Sequence, residues 1–67
     1  MSLHKYMIDY SKLSDSESKD LMEKLDSISF LGPDPAIGKK YCSVCIDENI
    51  DISVIDLLSR CKVQQIC

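Results

Sequence analysis

The chain has 67 residues, 45% of them apolar and 28% charged, with 11 acidic against 8 basic side chains and a net charge of −3. Residues 1–67 make one domain at most, with a thin core and marginal stability, and this apolar content is too high for a disordered chain. The acidic balance argues against a general affinity for nucleic acid or an anionic membrane, because both need a basic footprint.

No segment approaches the roughly 18 apolar residues of a membrane span. The opening MSLHKYMIDYSK carries no long apolar core and no small-residue cleavage site, so a cytoplasmic protein is expected. In that compartment the four cysteines are thiols or metal ligands rather than disulfides.

His4–Tyr10 alternates, with Tyr6, Ile8 and Tyr10 on one side and Lys5, Met7 and Asp9 on the other. Alternation with aromatic residues predicts a strand. Ser14-Asp15-Ser16-Glu17 is a capping box, and Leu21, Met22, Leu25 and Ile28 then form a helical stripe. A helix is expected over about 15–27. The apolar run Ile28–Leu31 reads as a brief second strand, and residues 32–39, with two prolines and Gly38, as a stiff loop.

Lys40–Asp47 predicts a third strand, with Cys42, Val44 and Ile46 on one face and Tyr41, Ser43 and Cys45 on the other. Glu48-Asn49 is a turn. Asp51 is positioned to cap a second helix over about 52–61, whose stripe is Val54, Ile55, Leu58 and Cys61. Val63, Ile66 and Cys67 mark a short last strand ending at the C-terminus.

The second half of the chain repeats the first weakly, giving β-α-β-β-α-β. That pattern resembles the ferredoxin-like split βαβ arrangement. The resemblance implies an α+β sandwich with an antiparallel sheet in the order 4-1-3-2 and two helices on one face. It implies no particular function.

Cys42-x-x-Cys45 followed by Cys61 and Cys67 has the composition of a four-cysteine zinc site. On a strand, however, Cys42 and Cys45 point to opposite faces and lie roughly 10 Å apart, so the cysteines read better as small core hydrophobes. The same placement disfavours a thioredoxin-like redox pair, whose first cysteine belongs at a helix N-terminus. A Cys45–Cys67 bridge would have to reach across strand 1.

Asp9 and Asp47 end strands, and paired carboxylates bind Mg²⁺ in phosphodiester hydrolysis. A first strand ending in Ile8-Asp9 resembles the small CRISPR-associated nucleases of ferredoxin-like fold. In those, a strand-1 aspartate binds metal between two subunits. His4 has no nucleophile near it in sequence, and no phosphate-binding glycine motif is present.

The sequence therefore predicts no catalytic residue, metal ligand or cofactor. It predicts a non-catalytic protein–protein interaction or regulatory module, inhibitor- or antitoxin-like, acting as a homodimer or on a basic-surfaced protein. The expected contact residues are Met7, Tyr41 and Cys45 on an open sheet face, with Asp15, Glu17 and Asp20 on the acidic face of the first helix. The alternatives are a four-cysteine zinc module and a dimeric metal-dependent ribonuclease.

Overall fold

The computed structural model describes residues 2–66. Its centre is β1 (Leu3–Asp9), which pairs antiparallel with β3 (Tyr41–Asp47) along its whole length, from Leu3 opposite Asp47 to Asp9 opposite Tyr41. On its other side β1 pairs antiparallel with β4 (Lys62–Gln65), from Tyr6 opposite Gln65 to Asp9 opposite Lys62. β2 (Asp34–Pro35) adds a short antiparallel edge to β3. The sheet order is β2-β3-β1-β4, which is the order 4-1-3-2 read from the other edge.

The single α-helix among the described residues, α1 (Asp15–Ile28), begins at the capping box. Glu17 N–H donates to Ser14 Oγ at 3.2 Å, and Ser14 N–H donates to Glu17 Oε1 at 3.0 Å. That backbone bond, with the Arg60 guanidinium beside it, holds the Glu17 carboxyl below the ordinary carboxylate range. The box is therefore complete at neutral pH and weakens as the pH falls through the carboxylate range. Replacing Ser14 with alanine is expected to cost about 1 kcal/mol and lower the melting temperature by about 4–8 °C. Ser14→Asp should restore most of that in thermal melts.

Leu21 and Leu25 of α1 are fully buried against Ile8, Cys42, Val44 and Ile46 of the sheet. Tyr10 and Leu13 close the β1–α1 end, and Ile55 and Leu58 the other side. No polar or charged residue is buried among the described residues.

The expected second α-helix does not form, and with it the two-helix ferredoxin-like sandwich is overturned. Residues 52–61 instead make two short 3-10 segments, Ile52–Val54 and Asp56–Arg60, with Ile55 extended between them at φ −91° and ψ 102°. Two features of the sequence explain this. Ile52, Val54 and Ile55 are β-branched, which lowers α-helix propensity. Ile52, Ile55, Leu58 and Cys61 also recur every third residue, the period of a 3-10 helix. Each donates to the one before it: Ile55 N–H to the Ile52 carbonyl, Leu58 to Ile55, and Cys61 to Leu58, all at 3.1 Å. Val54, a member of the expected α-helical stripe, is 71% exposed. Asp51 is a cap as expected, accepting from Ser53 N–H at 2.9 Å.

The second strand is also displaced. Ser29 makes one isolated bridge to Ile46, and Phe30 N–H donates to the Cys45 carbonyl at 2.9 Å. Ladder pairing then resumes only at Asp34–Pro35, inside the segment expected to be a loop. Leu31–Pro33 bulges out between the two. Gly32 at φ +81° makes the turn, and a Cβ there would stand 2.7 Å from Asp26 Oδ1. The expected pairing of Cys67 in the last strand lies outside the described residues.

Candidate functional site

α1 and the 3-10 segments cover one face of the sheet, and the other face is open. Strand alternation sorts the residues. On the open side the register sets Leu3 beside Asp47, Lys5 beside Cys45, Met7 between Ser43 and Gln64, and Asp9 between Tyr41 and Lys62. Met7 and Cys45 are half-buried and Tyr41 is exposed, the positions expected for them. A shallow hollow of about 450 Å³ lies on this face, lined by Met7, Asp9, Tyr41, Lys62, Val63 and Gln64.

The structure does not bring the two expected groups of contact residues together. Asp15, Glu17 and Asp20 lie on α1, across the sheet from Met7, Tyr41 and Cys45. The chain's own cations meet each of them. Lys40 Nζ reaches Asp15 at 3.2 Å, Lys24 Nζ reaches Asp20 at 2.7 Å, and the Arg60 guanidinium pairs with Glu17. Exposed pairs of this kind contribute little to stability, and each sets a cation beside an acid that a basic partner would contact.

The sequence reading missed Phe30, Leu31 and Ile37, which are 63%, 87% and 100% exposed. The signal was the phase of the apolar run: Phe30 and Leu31 continue it beyond Ile28 but fall off the stripe of α1. Phe30 lies beside Cys45 at the β3 edge, through its backbone bond to that residue.

Cys42 is fully buried, and burial pushes its thiol up to about 11. Burial also raises the half-buried Cys61, whose thiol donates to the Leu57 carbonyl at 3.4 Å. Both are protonated at neutral pH and poor nucleophiles. Cys42 and Cys45 project to opposite faces of β3, so they do not share an ion.

Asp9 and Asp47 stand at opposite ends of the β1–β3 ladder, roughly 20 Å apart. Each closes a local turn, Asp9 with Ser11 N–H at 3.0 Å and Asp47 with Asn49 N–H at 2.8 Å. The Ser11 bond, helped by Lys62 and Lys12, holds the Asp9 carboxyl below the ordinary range, so it is ionised and unsuited to general-acid work. Among the described residues, no group of three or more His, Cys, Asp or Glu converges as a metal site. His4 Nδ1 lies 2.9 Å from the Gln65 amide, and the His4 ring stands edge-on to Tyr6.

A second cleft, of about 430 Å³, opens where β1 leaves the sheet. It is lined by Asp9, Ser11, Lys12, Ser59, Arg60, Cys61 and Lys62. It is basic overall, but Asp9 stands in it and Arg60 is tied to Glu17.

The fold and this surface together define a small α+β domain whose antiparallel sheet is covered on one face only. No helix of the described residues is long and apolar enough to cross a membrane. Compared with known protein families, curated proteins and solved structures, the chain matches none.

Proposed function

We propose that this chain is a non-catalytic protein–protein interaction module whose contact surface is the open face of its sheet. The observation that carries the reading is the contrast between the two sides of β1 and β3. One side buries Ile8, Cys42 and Ile46 completely. The other leaves Met7, Tyr41 and Cys45 partly uncovered, with Phe30 at its rim. Apolar side chains gathered on one uncovered face mark an interaction surface more often than the same residues scattered singly do. That Asp15, Glu17 and Asp20 each have a cation of the chain beside them supports a reading on the sheet rather than on the acidic helix.

The test is retention of proteins from the source cell on immobilised chain. Met7→Asp and Tyr41→Asp are expected to lose at least one protein that the parent retains, while melting within about 1 kcal/mol of it, because neither side chain is in the core. Val54→Asp, at an exposed apolar position off this face, should retain it. Equal retention by all four proteins would sink the reading.

A further inference from the structure

The open face carries its charges in an order that suits a second copy of itself. We infer that two copies of this chain pack through their open sheet faces about a two-fold axis running across the strands at Met7. The inference rests on the reading of that face as the contact surface, and it names the occupant.

Along β1 the open side reads Lys5, Met7, Asp9: a cation, an apolar residue and an anion at even spacing. A two-fold axis between two stacked sheets can run along the strands or across them. An axis along β1 sets each residue of that strand over its own copy, Lys5 on Lys5 and Asp9 on Asp9, and like charges repel. An axis across the strands at Met7 reverses one copy lengthwise. Lys5 of each copy then faces Asp9 of the other, and Met7 meets Met7. This is the reciprocal pairing that a two-fold interface requires.

The same operation acts on β3. It sets Tyr41 over Cys45 of the other copy, with Phe30 beside it, so the apolar groups at the two ends of the β3 edge come together. Ser43 meets Ser43. Packed sheets stand about 10 Å apart, a gap that one lysine and one aspartate side chain span together. Lys62, next to Asp9, falls over the end of β4. There Ile66 donates its N–H to the Lys5 carbonyl at 2.8 Å, so Lys62 meets an apolar residue rather than a cation. Asp34 faces its own copy, but at the exposed rim, where salt screens it.

The face measures about 23 Å along the strands and about 19 Å across them. That is below the usual area of a tight interface, so the dimer is expected to dissociate in the micromolar range, about 1–100 μM.

Sedimentation equilibrium up to about 1 mM protein tests this. The parent chain should dimerise. Lys5→Asp and Asp9→Lys should each weaken the dimer at least about tenfold. The double swap Lys5→Asp/Asp9→Lys should recover it to within about threefold, and an equimolar mixture of the two single variants should form a heterodimer. Asp9 also accepts from Ser11 N–H, so circular dichroism accompanies each variant. Should Asp9→Lys not fold, Lys5→Arg retaining the dimer that Lys5→Asp loses is the expected result. A monomeric parent at the highest concentration, or a dimer indifferent to Lys5→Asp, overturns the inference. Neither outcome touches the contact-surface reading, which the retention of proteins by Met7→Asp decides separately.

Discussion

Replacing Leu21 with alanine is expected to remove most of this domain's stability. Leu21 is fully buried, and with Leu25 it is what joins α1 to Ile8, Val44 and Ile46. Truncating a buried leucine to alanine costs about 2–5 kcal/mol, through lost transfer energy and the cavity left behind. A chain of this length has only about 3–10 kcal/mol in total. The second layer of the core is one helix and two 3-10 segments, with no neighbouring helix to close the gap. Urea unfolding should therefore show Leu21→Ala substantially unfolded at 25 °C before much denaturant is added. Ile37→Ala, at a fully exposed position, should stay within about 0.5 kcal/mol of the parent. A loss below about 1 kcal/mol for Leu21→Ala would mean that α1 is not seated on the sheet as described.

Stability is also expected to stay level to about pH 9 and then fall by about 2–3 kcal/mol by pH 11. Cys42 is the cause. In the folded chain burial holds its proton to about 11, against an ordinary value of 9.0. Between these values the unfolded chain has released a proton that the folded chain still holds, so rising pH favours unfolding. Below the ordinary value both states are protonated and the preference is fully present. Tyr10 acts in the same direction from a higher starting point, raised above 10.0 by burial and then by the Cys42 sulfur near it. Melting temperatures recorded between pH 8 and 11 measure the effect. Cys42→Ala lowers the starting stability but should make the curve shallower between pH 9 and 10, leaving the smaller fall that belongs to Cys61 and the later one that belongs to Tyr10. An unchanged slope in that variant would show that the Cys42 thiol is not held in an apolar site.

The local features were legible because they depend on neighbours in sequence. The alternation of Tyr6, Ile8 and Tyr10, the capping box at Ser14 and the split of Cys42 and Cys45 across β3 each follow from backbone periods that a few residues express. Residues 52–61 were ambiguous for a physical reason. Ile55, Leu58 and Cys61 belong both to an α-helical stripe starting at Val54 and to a three-residue repeat starting at Ile52. The two frames differ in whether Val54 or Ile52 turns inward, and packing over the sheet selects Ile52. The second strand was misplaced because β3 edge pairing depends on how far the Gly32-Pro33 bulge carries the chain.

The open face was legible as alternation, but its charge order was not. Lys5, Met7 and Asp9 acquire their neighbours Cys45, Tyr41 and Lys62 only when β3 and β4 close on β1. The acidic face of α1 shows the reverse. It read as a surface for a basic partner, yet Lys40 and Arg60, 25 and 43 residues away along the chain, meet Asp15 and Glu17 first. By itself, then, the sequence determined where β1, α1 and β3 lie and which of their side chains turn inward, since steric periodicity and capping act over a single turn or strand. Only the tertiary structure decided that residues 52–61 wind as 3-10 segments, that Asp15 and Glu17 meet Lys40 and Arg60, and which charges stand together on the open face. Each of these is set by contacts between residues distant in the chain, whose energies no local pattern records.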